Sequence, residues 1–124
     1  MIQGMDAMDV VERWDRSLRI GDWEAARALL AEDATYTAPA APEGQAVDCA
    51  TPDAIIALLR SFKGQLPDME VVEWNPRDDC VIARLRQPLF GEDADWFQVL
   101  WVRDGLIAKM EDHPSRESAV AAAE

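Results

Sequence analysis

Apolar positions recur along this chain at two periods, and the change from one to the other divides it in two. From Asp9 to Leu18 the period is helical: Val10, Val11, Trp14 and Leu18 fall on one side, Glu12, Arg13, Asp15 and Arg16 on the other. Gly21 stops that helix, and Asp22 caps a second with an apolar stripe of Ala25, Ala26, Leu29 and Leu30. Thr51-Pro52-Asp53 opens a third: a hydroxyl cap, a proline at the first helical position and an acid in the first turn. Ile55, Ile56, Leu58, Leu59 and Phe62 make it so apolar that it is expected to lie across a sheet.

Between the second and third helices, Ala34–Ala38 alternates and predicts a short strand. Residues 39–50, with Pro39, Pro42 and Gly44 and no period, predict a loop. After the third helix the period falls to two. "DMEVVEW" and "CVIARLR" flank the turn "NPRDD", and "DWFQVLWV" and "LIAKMED" flank "RDG", where Asp-Gly tolerates positive φ. "RQPLFGEDAD" is the longer connection between these hairpins, and "SRESAVAAAE" predicts a last helical turn or two with frayed ends. Helices first, then antiparallel strands, predict an α+β fold: a curved antiparallel sheet with helices on one face.

Length and charge narrow this picture. A chain of 124 residues suits one domain, 1–124, with 49% apolar and 29% charged residues, as in an ordinary globular protein. The net charge of −12 and the scattered basic residues exclude a nucleic-acid partner, which needs a basic face. No apolar run reaches 18 residues, so no membrane span is expected. The N-terminus has early acids and no basic segment, so no signal peptide is read there and the cytoplasm is the default location. Cys49 and Cys80 lack CxxC spacing and read as reduced packing residues. One histidine and no Cys/His cluster give no metal site, and no Gly-rich phosphate loop, GxSxG elbow or HExxH is present, so no cofactor is expected.

The segment "GDWEAARALLAEDATYTAP" resembles the signature of the nuclear-transport-factor-2-like superfamily, above all its SnoaL-like (polyketide cyclase-like) and ketosteroid-isomerase-like members, and "VLWVRDGLIAKMED" is similar to that family's last hairpin. The resemblance spans nearly the whole chain. It implies a cone: a strongly bent sheet with three helices on its concave face, enclosing one apolar pocket, and commonly a homodimer formed through the sheet. It implies no single activity, because this fold hosts isomerases, cyclases, hydrolases, dehydratases and non-catalytic binders. Ketosteroid isomerases place an aspartate base on the first strand before a proline; here that position is Ala38, before Pro39. Their oxyanion-binding tyrosine corresponds to Trp14, and their second acidic donor falls near Phe97 or Gln98, neither of them an acid. Of the acids of limonene-epoxide-hydrolase-like members, only one has a counterpart, Asp112.

Strand alternation sorts what polar groups remain. If the base position faces inward, Tyr36 and Ala38 face inward together. On the last strand Leu106, Ala108, Met110 and Asp112 share one face, against Ile107, Lys109 and Glu111. That leaves Asp112 as a carboxylate at the end of an apolar row, where desolvation raises its pKa and suits it to acid–base work. The alternative is a solvated strand-end acid, or one that holds Arg116. His113 stands beside it, but strand neighbours face opposite ways, so an Asp112–His113 pair needs a bulge or an ended strand. Trp14 and Trp96 are candidate walls for a flat hydrophobic ligand, with Phe62 and Met110 as further apolar lining, and the tryptophans serve equally as core or dimer interface. Tyr36 and Gln98 are candidate hydrogen-bonding groups, though a core tyrosine with a satisfied hydroxyl fits as well. Arg84 and Arg86 face outward, to solvent or a second copy. Three functions stay open: an isomerase-, cyclase- or hydratase-type enzyme using Asp112 on a small hydrophobic molecule, a non-catalytic binder of such a molecule, and a structural dimer.

Overall fold

The structure, a computed structural model, describes residues 6–38, 47–61, 70–86 and 95–124. Helix α1 (Ala7–Ile20) buries Ala7, Val10, Val11, Trp14 and Ser17, a helical stripe. Asp6 caps its start by accepting from the Asp9 N–H, and Gly21, at φ 76°, closes its end as only a left-handed residue can. Asp22 caps α2 (Trp23–Ala28) by accepting from Ala25, and the Thr51 hydroxyl accepts from Ala54 at the start of α3 (Pro52–Ser61). Both caps stand where the polar residues before each apolar stripe put them.

Among the described residues six strands form one curved, unclosed sheet: β1 (Leu30–Ala38), β2 (Val47–Cys49), β3 (Glu70–Pro76), β4 (Cys80–Arg86), β5 (Asp95–Arg103) and β6 (Leu106–His113). Their spatial order is β2-β1-β6-β5-β4-β3. Four of the five pairings are antiparallel; β1 and β6 run parallel, so the first long strand lies beside the last. The β5–β6 turn has Asp104 at φ 55° and Gly105 at φ 78°, the positive-φ pair that Asp-Gly permits.

Four local expectations are corrected. Leu29 and Leu30 do not belong to the α2 stripe: the helix ends at Ala28, and Leu30 begins β1 opposite Ile107, buried to 3% exposure. The segment expected as a loop up to Ala50 contains β2, which pairs Cys49 with Tyr36. The strict alternation expected of the last strand breaks at Ala108, because Trp101 faces Lys109 while Val102 faces Ile107. That bulge turns Ile107 into the same core as Met110. The C-terminal segment is not frayed. It forms α4 (Arg116–Ala123), capped by Ser115, with Ala119 fully buried.

Helix α4 makes the sheet two-sided. The concave face packs Val81, Ala83, Leu85, Leu100 and Met110 against Val10, Val11 and Trp14 of α1 and Ile55 and Ile56 of α3. The convex face packs Cys80, Ile82, Phe97 and Val99 under Ala119, Val120 and Ala123 of α4. Arg84 and Arg86 also stand on the convex face, clasping Asp95 at 2.8 Å each, and Arg116 pairs with Glu73 at 2.8 Å. Cys80 is sealed beneath α4, which gives a test. Ala119→Asp places a charge in that contact and is expected to weaken α4 docking by about 3 kcal/mol. A thiol reagent should then label Cys80 on the order of a hundredfold faster than in the parent protein, well ahead of Cys49, as read by peptide mass. Labelling of Cys49 first would show that α4 is not what shields Cys80.

Candidate functional site

The register of the sheet assembles the site. Thr37 of β1 faces Glu111 of β6, so Ala38 and Asp112 are the next residues of these two parallel strands. Asp112 faces Gln98 of β5, Gln98 faces Ala83 of β4, and Ala83 faces Trp74 of β3. One residue deeper lies an aligned row of Tyr36, Met110, Leu100 and Val81. Among the described strand residues of this concave face Asp112 is the one carboxylate, set among apolar neighbours.

Both of its oxygens are held. The Tyr36 hydroxyl donates to Oδ2 at 2.5 Å, and Gln98 Nε2 donates to Oδ1 at 2.9 Å. The Gln98 amide orientation follows from this contact, since a carboxylate oxygen accepts and requires the NH2 end. None of the ion pairs among the described residues includes Asp112. Burial raises the Asp112 pKa, against the opposing pull of the Tyr36 and Gln98 hydrogen bonds. Tyr36 is pushed far above its ordinary value, first by burial and then by the Asp112 charge, so its proton stays on. The arrangement offers a desolvated carboxylate, fixed in direction by two neutral donors, that can take or return a proton.

The other candidate residues divide. Met110 is buried beside Tyr36, and Trp14 is packed in the core on α1, 4% exposed. Trp96 is half-buried one step beyond Gln98 on the same face, and Ala38 is half-buried at the end of β1. Phe62 lies outside the described residues, as does the segment Pro39 to residue 46 expected as a rim. His113 does not join Asp112. Strand β6 runs through it, so it faces the convex side, where Nε2 lies 3.1 Å from Glu111 Oε1 and Nδ1 lies 2.6 Å from the Ser118 hydroxyl. Arg116 is not held by Asp112 either; it donates to both Glu73 oxygens. The open groove lined by Met8, Glu12, Asp15, Arg16, Arg19, Ile20 and Trp74 contains none of the candidate residues. Among the described residues no group of three or more His, Cys, Asp or Glu is placed to hold a metal, and no helix is long and apolar enough to cross a membrane.

Sequence reasoning put Tyr36, Gln98 and Asp112 on inward faces but did not connect them. The missing step was the parallel β1–β6 pairing, which no local pattern announces. It also missed Cys49, which stands opposite Tyr36 on β2 with its thiol pKa raised, chiefly by burial.

A curved, unclosed six-stranded sheet with helices over its hollow defines the NTF2-like cone fold. The family model for the SnoaL-like domain matches residues 11–110, and the chain belongs to that family. Solved structures agree on the fold. An NTF2-like protein of unknown function from Cytophaga hutchinsonii is 14% identical, with a TM-score of 0.69 over 97% of this chain and 99% of that one. A candidate polyketide cyclase from Sinorhizobium meliloti is 19% identical, with a TM-score of 0.66 over 88% of this chain and all of that one (100%). A candidate ketosteroid isomerase from Kribbella flavida is 21% identical, with a TM-score of 0.57 over 84% of this chain and 73% of that one. No curated protein sequence matches the chain.

The raised Asp112 pKa has a direct consequence for stability. Between the ordinary value of 3.8 and the higher folded-state value, the folded protein holds a proton that the unfolded chain has released. Stability due to this group is therefore greatest at low pH and declines as pH rises through the folded-state value. Measured by denaturant unfolding from pH 4 to 8, the parent protein should lose stability relative to Asp112→Asn as pH increases. A difference that stays constant or grows in the parent's favour would mean that Asp112 is not desolvated.

Proposed function

We propose that this protein binds a small hydrophobic molecule against the concave face of its sheet, and that Asp112 exchanges a proton with that molecule in an isomerase-, cyclase- or hydratase-type reaction. The observation that carries the reading is the setting of Asp112: a half-buried carboxylate with a raised pKa, aimed by Tyr36 and Gln98, at the end of an apolar row. A structural acid is normally left in water or paired with a cation. Tyr36 and Gln98 act as positioning residues, since each directs a proton at Asp112. Trp96 and Met110 form apolar wall, and Trp14 backs it from α1. The relatives described as candidate cyclase and isomerase fit this class of chemistry, although the position before Pro39 at the end of β1 holds Ala38 and not an acid.

A second reading is favoured by one observation. Both Asp112 oxygens already have donors, so the network is complete without a substrate, as in a binding protein that holds a lipophile and leaves it unchanged. A homodimer through the sheet belongs to either reading and would use the convex surface that α4 leaves uncovered, around Thr35, Thr37 and Lys109.

Proton transfer separates the two. The fused-ring ketone 2-tetralone has acidic ring C–H groups and reports a base without knowledge of the natural substrate. In deuterated buffer the parent protein should speed deuterium uptake into 2-tetralone above the buffer rate. Asp112→Asn should abolish that acceleration while folding and binding of the ketone persist. Binding with no acceleration in either protein would favour the non-catalytic reading.

A further inference from the structure

The hydrogen-bonding capacity left at this site has one sign. The single Tyr36 hydroxyl proton is committed to Asp112, so its oxygen can only accept further. Gln98 has turned its NH2 to Asp112, and Oε1 accepts nothing from the described residues. An ionised carboxylate has about four acceptor positions, of which Tyr36 and Gln98 fill two. Around these acceptors the face is apolar or aromatic: Tyr36, Trp96, Leu100 and Met110. His113, the next residue after Asp112, is turned away to Glu111 and Ser118.

The chain places cations beside its other well-held acids. Asp95 lies between Arg84 and Arg86, Glu73 meets Arg116, and Glu111 meets Lys109. Asp112, half-buried in the concave face, has none among the described residues. A buried carboxylate ordinarily calls for a counter-charge.

We propose that the concave site recognises a hydrophobic amine in its protonated form: the ammonium supplies the counter-charge that no described residue gives Asp112, and the apolar body lies against Trp96 and the inner wall. An ammonium is three donors and no acceptor, which is what a cluster of acceptors requires. The aromatic rings of Tyr36 and Trp96 add an attraction for a cation over their faces. The net charge of −12 draws cations toward the protein and repels anions. A ketone or carboxylate ligand would bring further acceptors to acceptors. The inference rests on the reading that this face binds a small molecule; it does not require turnover.

One ring skeleton carries the test. Binding of 2-aminotetralin, 2-hydroxytetralin, 2-tetralone and tetralin-2-carboxylate is measured by calorimetry at neutral pH on the full chain. The amine should bind on the order of ten- to a hundredfold more tightly than the alcohol or ketone, the range expected of hydrogen bonds to a charged group, and the carboxylate should bind least. Asp112→Asn, with its fold checked by circular dichroism, should erase the advantage of the amine over the alcohol. The order among the four compounds in the parent protein tests the proposal even if that variant does not fold. If the neutral compounds bind and the amine has no advantage, the amine class is overturned while the pocket stands. If no member binds, both are overturned.

Discussion

The parallel pairing of β1 with β6 is the constraint on which this molecule depends. Everything from β3 to β6 is an antiparallel meander that neighbours in sequence can form by themselves. The N-terminal part is helical apart from β1 and β2 and has no sheet of its own to cover. Laying β1 beside β6 joins the two parts: Ile107 donates to the Leu29 carbonyl at 2.8 Å, Leu30 faces Ile107, and Tyr36 faces Met110. Without β1, strand β6 would be a sheet edge and Asp112 a solvated acid near the end of it. With β1 in place, a tyrosine far away in sequence covers that acid and takes away its water. The chemistry of the site is thus a consequence of long-range strand pairing.

The two faces of the sheet show what this chain does with charge when packing alone decides. On the convex side, charges are matched and layered. Asp95 is clasped by two arginines, and the Phe97 ring lies under Arg84 at 6.0 Å and Arg116 at 5.1 Å. The Lys109 ammonium sits 4.8 Å from the Trp101 ring centre. Asp95 and Glu73 are held below the ordinary carboxylate range, chiefly by hydrogen bonds from Arg86 and Arg116 respectively. The concave side holds its carboxylate above that range, with neutral donors only. Arginine was available one face away. Its absence beside Asp112 is difficult to explain by stability, since an acid partly withdrawn from water is costlier to hold without a cation than with one.

Most of the architecture could be read from periodicity, because each element carries a local chemical signature. The caps at Asp22 and Thr51, the stops at Gly21 and Asp104-Gly105, and the limits of β4 all follow from residue types with one strong conformational preference. Where reading failed, the deciding interaction was distant. Leu29 and Leu30 continue a helical stripe, yet Leu30 is drawn into β1 by Ile107. Val47–Cys49 is too short to show a period and becomes a strand because β1 offers an edge. Ile107 alternates onto the convex face until the bulge at Ala108 turns it into the core. The site behaves the same way: alternation sorted Tyr36, Gln98 and Asp112 by face, but only the register between strands brings them together.

The position of that acid relative to its relatives carries the last step. The resemblance to ketosteroid isomerases places a base where this chain has Ala38, and Asp112 occupies the adjacent position on the neighbouring strand. Strands lie about 4.8 Å apart, so Asp112 stands one strand spacing to the side of Ala38. A molecule seated so that its reactive atom meets a group on β1 would present it to the Ala38 methyl. To meet Asp112 it must sit nearer the middle of the sheet, where Gln98 and the rings of Tyr36 and Trp96 surround the acid. The fold is shared across the family, but the polar groups of the concave face proposed to meet a ligand stand on β5 and β6 beside Tyr36 of β1, not at the end of β1.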